Sequence, residues 1–220
     1  AEFSGNVAHS NSGDGLHVDN GPLTNVGAGV EPTHYIPHLN PEAIKTRYKR
    51  DYNISAPAPA VFEDFVAFKN RHNGAWLRGE GLILQDPIFA DNAIGATMAA
   101  NNSVLRGGTF IGETANLGSS REWEKTGPLG RSLPKPWECG PEICFDFPIR
   151  GFEFYDGTVG VEDSYFANYE NNDVRKASAL SYLQFTAFPI SPRNYASGLT
   201  FAPGTGRVHL APRGAPANPR

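Results

Sequence analysis

Residues 89–95 read Phe-Ala-Asp-Asn-Ala-Ile-Gly, and 21 residues after Phe89 a similar stretch, Phe-Ile-Gly-Glu-Thr-Ala-Asn-Leu-Gly, occupies residues 110–118. Both stretches have an aromatic residue, then a small polar turn, then glycine beside an aliphatic residue. Further copies of this pattern, the last of them weaker, begin at Phe3, Phe65 and Tyr165. Phe65 precedes Phe89 by 24 residues. A spacing of 21 to 24 residues predicts that each copy forms one turn of a β-solenoid.

The apolar runs between these anchors are short and are separated by Gly, Asn and Asp. They include Val61-Phe62, Leu82-Ile83-Leu84 and Ile88-Phe89. Such runs predict strands, and no sustained helical period accompanies them. Because one turn of a repeat cannot bury its apolar face alone, the copies must stack around a shared core. We therefore predict an all-β fold, a right-handed parallel β-helix, in preference to an all-β sandwich, which would need more two-residue hairpins.

Two segments interrupt the spacing and are predicted to be long loop insertions in the solenoid. The first covers about residues 25–59 and is rich in proline, and the second covers about residues 119–147 and contains both cysteines. Loops of this length usually bind a ligand or pack against another element. The predicted β-helix covers residues 1–205 as the C-terminal part of a longer solenoid, and the proline-rich residues 206–220 are predicted to be a tail or linker.

Composition and charge exclude several classes of function. The 220 residues are 19% charged, with a net charge of -4 and a pI of about 5.9. The basic residues are scattered, whereas a nucleic-acid-binding protein would need a clustered basic face. No apolar run reaches the ~18 residues of a transmembrane helix, and the first residues lack the pattern of a signal peptide. Because the copy at Phe3 has no cap, we expect upstream domains or a partner chain to cover it.

The two cysteines lie close together in the motif Cys139-Gly-Pro-Glu-Ile-Cys144. Two thiolates without a nearby histidine cannot complete a four-ligand zinc site. We favour a short disulfide, which would indicate an oxidising compartment, and the alternative is a pair of reduced thiols. No cofactor is evident, and no metal site is predicted. Calcium is the one candidate ion, through oxygen atoms of Asp14, Asp19 and Asn20.

Three stretches in this order resemble a known family. They are Phe3-Ser-Gly-Asn-Val-Ala-His-Ser-Asn11, Ala67-Phe-Lys-Asn-Arg71 through Gly74-Ala-Trp-Leu-Arg-Gly79, and Phe147-Pro-Ile-Arg-Gly151 with Tyr155-Asp-Gly157. They are similar to the β-helix region of the family of the cell-migration-inducing hyaluronan-binding protein and transmembrane protein 2, a cell-surface hyaluronidase. Fibrocystin-type proteins share a looser version.

The resemblance implies a secreted or surface-exposed β-helix that binds or depolymerises a glycosaminoglycan-like polysaccharide. In that family further domains precede the β-helix, among them a glycine-rich β domain linked to hyaluronan breakdown. None of those domains is visible in this sequence. The resemblance therefore transfers no catalytic residue to this chain, and it predicts that the catalytic residues lie outside it.

Trp76 and Arg78 are candidate carbohydrate-binding residues. They alternate along a predicted strand, so both side chains should lie on the face opposite to that of Leu77. An aromatic ring beside a guanidinium group suits a sugar ring and its carboxylate. The alternative is a tryptophan packed under an insertion. Trp123 and Trp137, in the second insertion, are further candidate sugar platforms or, alternatively, anchors of that loop.

Asp91 and Glu113 are the candidate catalytic residues. They follow Phe89 and Phe110 in successive copies, so their backbones are expected about 4.8 Å apart, and a glycosidase needs two neighbouring carboxyl groups. The alternative is that both are solvated turn residues. Three functions thus remain open: a polysaccharide-binding or polysaccharide-degrading β-helix, a structural or adhesion solenoid, and a self-contained lyase or hydrolase.

Overall fold

The computed structural model describes residues 3–18, 58–117, 149–171, 177–182 and 191–209. Within these ranges the protein is all-β, as predicted, and the one helical element is a 3-10 turn at Ala115–Leu117. No helix in the described part of the chain is long and apolar enough to cross a membrane. Most of both predicted insertions lies outside the described residues.

The described strands form two hydrogen-bonded sheets in which neighbouring strands run parallel. Sheet 1 has the order β1 (Val7–His9), β4 (Val66–Phe68), β7 (Ile88–Ala90), β9 (Thr109–Ile111), β11 (Tyr165–Ala167) and β14 (Thr200–Phe201). Sheet 2 has the order β2 (Leu16–Val18), β5 (Asn73–Glu80), β8 (Ile94–Arg106), β10 (Ile149–Glu162), β12 (Ala177–Tyr182) and β15 (Val208–His209). Along these main paths the chain therefore alternates between the sheets, adding one strand to each in turn.

The two longest strands of sheet 2 each serve two sets of neighbours. The first half of β8 pairs with β5, and its second half pairs with β6 (Leu82–Gln85). In the same way, β10 pairs with β12 through its first half and with β13 (Tyr195–Ser197) through its second half. The remaining strand, β3 (Ala60–Glu63), pairs with β6. Sheet 2 thus has a branch that runs beside its main path.

A stack of phenylalanine rings fills the space between the sheets. Phe89, Phe110, Phe166 and Phe201 occupy one register position of sheet 1. The centroids of successive rings lie 5.2, 4.6 and 5.6 Å apart. The first three side chains are fully buried. This stack explains why an aromatic residue returns in successive copies of the repeat, because stacked and tilted rings at these distances attract one another.

Each of the inner rings rests on a glycine of sheet 2. A Cβ atom on Gly95 would come within 2.6 Å of the Phe110 ring, and one on Gly151 within 2.7 Å of the Phe166 ring. These contacts are closer than side-chain atoms can approach, so any larger residue would displace the ring. The glycine that follows the aromatic residue in the repeat is therefore required by packing.

Phe65 does not occupy the position of Phe89, which corrects the predicted register by two residues. Ala67 pairs with Phe89, so the true separation of these two copies is 22 residues. The separation of Phe89 and Phe110 is 21 residues, as predicted. Phe65 is itself buried, and its ring lies 6.3 Å from that of Phe89. Aromatic identity alone was misleading because residues two positions apart can both face the core.

The turns that precede the sheet 1 strands share a left-handed backbone. Asp64, Asp86 and Asp163 have φ angles of 51°, 51° and 47°. Glycine takes the equivalent place at Gly107 and Gly198. Aspartate and glycine are among the residues that tolerate this conformation best, which accounts for their return at the same point of the repeat.

Candidate functional site

The outward face of sheet 2 carries a row of polar and aromatic side chains that crosses all six strands of its main path. In register order the row is His17, Trp76, Thr97, Glu153, Ser181 and His209. The residues on either side of it, such as Leu77 and Met98, belong to the hydrophobic core. Because side chains alternate along a strand, the row points away from that core.

Hydrogen bonds connect the row to residues on neighbouring strands. Asp14, in the turn before β2, accepts two hydrogen bonds through Oδ1, from the backbone N and from Nδ2 of Asn73, both at 2.9 Å. The hydroxyl of Thr97 donates to Asn73 Oδ1 at 2.8 Å and lies 3.2 Å from Glu153 Oε1. A continuous polar network therefore runs from the turn before β2, across β5 and β8, to β10.

The network ends in a buried ion pair. Glu153 and Arg150, three residues apart on β10, are in contact, and they are 1% and 7% exposed. Burial lowers the pKa of Arg150 to about 9, so its guanidinium remains charged at neutral pH. Burying charges is costly, and a hydrophobic pair would often stabilise a fold as well. A buried, hydrogen-bonded ion pair on one face of a sheet therefore marks that face as a candidate functional site.

His17 and Asp14 form a second, more accessible pair at the other end of the network. His17 Nδ1 lies 2.6 Å from Asp14 Oδ2, and the His17 side chain is 54% exposed. Burial raises the pKa of Asp14, but the hydrogen bonds from His17 and Asn73 outweigh it, so the net shift is downward. Asp14 is thus ionised at neutral pH, and His17 Nδ1 carries the proton that it donates. This hydrogen bond fixes the tautomer of the imidazole.

Trp76 and Arg78 share a face, as their alternation in the sequence predicts. The guanidinium carbon of Arg78 lies 5.5 Å from the centroid of the Trp76 ring and 5.4 Å from that of Tyr155. Arg78 is buried against both rings, whose own centroids lie 5.7 Å apart. The Trp76 ring is half-buried and lies almost parallel to that of His17, at an angle of 10° and a centroid distance of 6.3 Å. A buried cation packed against two aromatic rings therefore lies near the His17–Asp14 pair.

The two candidate catalytic residues lie apart from this face, at the end of the sheet 1 strands. Asp91 has a left-handed φ of 56° and is 4% exposed. Its two carboxylate oxygens accept hydrogen bonds from the backbone N and Oγ1 of Thr114, both at 2.7 Å. Burial, together with the charge of Asp91, raises the pKa of Tyr169. Asp91 is level with Gly112 and not with Glu113, and a catalytic role for the two carboxylates stays a prediction.

Several predicted site residues lie outside the described residues: Trp123, Trp137, Cys139, Cys144, Asp19 and Asn20. Asp14, the remaining candidate calcium ligand, is hydrogen-bonded to His17 and Asn73. In the described ranges no group of three His, Cys, Asp or Glu side chains is placed to hold a metal ion.

Sequence reasoning missed most of the polar network: His17, Asn73, Thr97, Arg150 and Glu153. The outward row of sheet 2 could be predicted from the glycine of the repeat, because in four copies the residue of that row comes two positions after the glycine. The pairs are Gly15 and His17, Gly74 and Trp76, Gly95 and Thr97, and Gly151 and Glu153. Aligning the copies on glycine thus predicts which side chains share a face.

The fold and the site together define a class of protein. In this class, repeated copies of parallel strands pack around one core, and a polar and aromatic site lies on the outward face of one sheet. No family model matches the chain. It is 34% identical to the human cell surface hyaluronidase CEMIP2 over 217 residues, which is 91% of this chain and 15% of that protein. It is 31% identical to the human cell migration-inducing and hyaluronan-binding protein over 238 residues, which is 97% of this chain and 16% of that protein.

A zebrafish (Danio rerio) cell surface hyaluronidase is 28% identical to the chain over 207 residues, which is 91% of this chain and 14% of that protein. The resemblance predicted from the motifs is therefore confirmed, and the similarity to these proteins extends over nine tenths of the chain. The chain spans less than a fifth of the length of the curated relatives it matches.

Proposed function

We propose that this chain is a segment of a cell-surface protein and that the outward face of sheet 2 binds an acidic polysaccharide of the glycosaminoglycan class. The names of the relatives support this proposal: two are called cell surface hyaluronidases and a third is called hyaluronan-binding. The proposed location is accordingly the extracellular surface.

The proposed architecture is a right-handed parallel β-helix in which each copy of the repeat makes one coil. Its support is the parallel pairing of successive copies and the 22-residue and 21-residue steps between Ala67, Phe89 and Phe110. About 98% of the crossover connections between parallel strands of one sheet are right-handed. In this arrangement the accessible part of the outward row is at His17 and Trp76, because Thr97 and Glu153 are buried. A polymer would therefore bind at that end of sheet 2.

The observation that carries the proposed ligand class is the position of Arg78 beside the rings of Trp76 and Tyr155. The partly exposed indole ring of Trp76 can cover the apolar face of a sugar, and the buried positive charge of Arg78 attracts the carboxylate of a uronic acid from below that surface. The two aromatic rings hold the guanidinium in place, so less side-chain entropy would be lost on binding. Its burial would strengthen the attraction to a carboxylate, because charges are screened less away from water.

The test is binding of the 220-residue chain to hyaluronan and to chondroitin, with an uncharged dextran for comparison. Arg78→Met keeps the length of the side chain but removes its charge, and Trp76→Ala removes the ring. We expect each change to weaken hyaluronan binding by about tenfold, Trp76→Ala through the lost stacking surface and Arg78→Met through the lost positive charge.

The matched control is Arg207→Met. Arg207 also lies over an aromatic ring, that of Phe201 at 5.2 Å. It belongs neither to the outward row nor to the group formed by Trp76, Arg78 and Tyr155. We expect this variant to bind hyaluronan like the unmodified chain. Equal losses for Arg78→Met and Arg207→Met would mean that binding follows net charge alone, and no binding by the unmodified chain would refute the proposed function.

A structural or adhesion role is the second candidate, and the outward face of sheet 1 favours it. In that sheet Val7, Ile88 and Tyr165 occupy one register row and are 61%, 45% and 40% exposed. Exposed apolar rows of this kind are typical of surfaces that contact another protein. Analytical ultracentrifugation of the chain tests this role, because an adhesive solenoid should self-associate or bind its flanking domains through that face.

A further inference from the structure

We propose that Asn101 is a site of N-linked glycosylation, with an oligosaccharide attached to its side-chain nitrogen. Asn101, Asn102 and Ser103 form the sequence Asn-X-Ser, which is the acceptor pattern of this modification in secreted proteins. The same pattern occurs once more, at residues 53–55, which lie outside the described residues. The inference rests on the extracellular location given under the proposed function, because the modification is made on proteins that are secreted or reach the cell surface.

Asn101 lies at a bend in β8, where the strand changes its neighbours. Its partner on β5 is Glu80, the last residue of that strand, whereas the pairing with β6 begins at Val104. On the other side, β10 is out of register with β8 at the same place. Asn102 has a left-handed φ of 48° and is exposed. The acceptor pattern therefore occupies an irregular, exposed bend, which is the kind of place that a bulky oligosaccharide needs.

The oxygen and the nitrogen of the Asn101 side chain have different surroundings. Oδ1 accepts a hydrogen bond from the backbone N of Thr158 at 3.2 Å, and a donor at that place identifies the atom as the oxygen. Nδ2 donates no hydrogen bond within the described ranges, and it is not one of their buried, unpaired polar atoms. Nδ2 of this half-buried residue therefore faces solvent. A sugar can replace one of its hydrogen atoms while the contact through Oδ1 is kept.

Other asparagines of the same part of the fold lack this combination. The Nδ2 atom of Asn102 donates to Glu80 Oε1 at 3.0 Å, and the residue two positions after Asn102 is a valine, so the acceptor pattern is absent. Three further asparagines are buried, and their Nδ2 atoms donate hydrogen bonds across strands: Asn70, Asn73 and Asn92. Of these five asparagines, Asn101 alone has both the pattern and an accessible Nδ2.

The Ser103 hydroxyl, which the acceptor pattern requires, is enclosed in the finished fold. It donates to the backbone O of Asn101 at 2.8 Å and accepts from the backbone N of Leu82 at 2.9 Å, and Ser103 is 5% exposed. A transferase that recognises this hydroxyl therefore has to act before the bend closes. The attachment thus belongs to the synthesis and folding of the chain and not to its later life on the surface.

The attachment is a group transfer from a lipid-linked oligosaccharyl pyrophosphate, which the secretory pathway supplies together with the transferase. Nδ2 of Asn101 forms a bond with the anomeric carbon of the first sugar, as the bond between that carbon and the pyrophosphate oxygen breaks. Nδ2 loses one hydrogen as a proton, and the lipid pyrophosphate is the leaving group. No oxidation or reduction takes place, and no other residue of this chain has to take part in the reaction.

The modification site lies on the same outward side of sheet 2 as the proposed polysaccharide site. Asn101 follows Thr97 by four residues along β8, and Thr97 is in register with Trp76. Ala100 belongs to the core, so the alternation of side chains continues as far as Asn101. The attachment point is therefore about 13 Å along the strand from the Trp76 row. An oligosaccharide there keeps other proteins away from this part of the face and leaves Trp76 itself accessible.

The experiment secretes the 220-residue chain from animal cells and measures its mass before and after an enzyme removes N-linked oligosaccharides. Asn53→Gln is present in every variant, so that only the pattern at residues 101–103 can be modified. We expect the mass of this parent chain to fall on treatment and the peptide to carry aspartate in place of Asn101. Asn101→Gln keeps an amide at the bend and should abolish the mass shift.

Two changes at Ser103 separate the acceptor pattern from the fold. Ser103→Thr keeps the hydroxyl, so this variant should carry the oligosaccharide at least as fully as the parent chain. Ser103→Ala leaves Asn101 in place but should lose the mass shift completely. Asn102→Gln is the matched control, because it changes the neighbouring amide and leaves the pattern intact. Its mass shift should equal that of the parent chain.

The outcomes separate this inference from the proposed function. If the secreted parent chain carries no oligosaccharide, if Ser103→Ala keeps it, or if the protein purified from its own cells lacks it at Asn101, the inference is overturned. Binding of hyaluronan by such a chain would leave the proposed function standing. A chain that carries the oligosaccharide but does not bind hyaluronan, before or after its removal, would overturn the proposed function and support the modification site.

Discussion

Sheet 1 and sheet 2 are built by the same copies of the repeat, yet their outward faces differ completely. The outward row of sheet 1 contains Val7, Ile88 and Tyr165, which are exposed and form no polar network. The outward row of sheet 2 contains Thr97 and Glu153, which are buried and hydrogen-bonded across strands. Both sheets face the same core. Stacking therefore constrains the inward residues of every copy but leaves each outward face free to acquire its own chemistry.

The largest expected effect is on the inward side, where the two sheets depend on each other. Phe110 is fully buried, with Phe89 and Phe166 on either side of its ring and Gly95 beneath it. Phe110→Ala should therefore lower the free energy of unfolding by about 3–5 kcal/mol, since the glycine cannot fill the cavity. Chemical denaturation measures the change.

Phe201→Ala is the control for that prediction, because Phe201 stands at the end of the stack and is only partly buried. We expect a loss about half as large. A loss under about 1 kcal/mol for Phe110→Ala would contradict the view that one ring stack joins the two sheets.

The second largest effect on the free energy of unfolding is expected on the outward face of sheet 2. Glu153→Gln would leave the charge of Arg150 buried without its carboxylate, so we expect the free energy of unfolding to fall by about 3 kcal/mol. Replacing both residues, as Arg150→Met with Glu153→Leu, should recover most of that loss, because neither charge then has to be buried. Failure of the double variant to recover would show that the fold itself depends on this ion pair.

The same contrast explains which features the sequence predicts. The positions of Phe89, Phe110 and Phe166 are periodic because one core imposes them on every copy, so the all-β class and the strands could be predicted. The network could not, because its members Asn73, Thr97 and Glu153 are of different residue types and so leave no repeated signal in the sequence. Its hydrogen bonds also join residues far apart in the chain, 59 positions for Asp14 and Asn73 and 56 for Thr97 and Glu153.

A smaller effect should appear at the exposed end of the network and only above acidic pH. The folded-state pKa of Asp14 is lowered from 3.8, so its ionised form stabilises the fold above that value, and this contribution is lost as the pH falls through the lower, folded value. Asp14→Asn should be less stable than the unmodified chain by about 1 kcal/mol at neutral pH. The difference should vanish in acid.

Thermal unfolding of both proteins from neutral pH down to about pH 2, well below the ordinary pKa of an aspartate, checks this prediction. Glu113→Gln, which changes a partly exposed carboxylate at the sheet 1 side, provides the comparison. A stability difference for Asp14→Asn that is the same at every pH would mean that its charge contributes nothing and that only the shape of the side chain matters.

The smallest effect on stability is expected on the outward face of sheet 1. Ile88 is 45% exposed and lies on β7, so Ile88→Thr keeps a branched side chain suited to a strand while removing apolar surface from the exposed row. The free energy of unfolding should change by less than about 0.5 kcal/mol.

If sheet 1 is an adhesive surface, the same change should weaken self-association in analytical ultracentrifugation and leave hyaluronan binding by sheet 2 intact. Loss of both properties would mean that the two faces do not act independently, because a residue on one sheet would then control a site on the other.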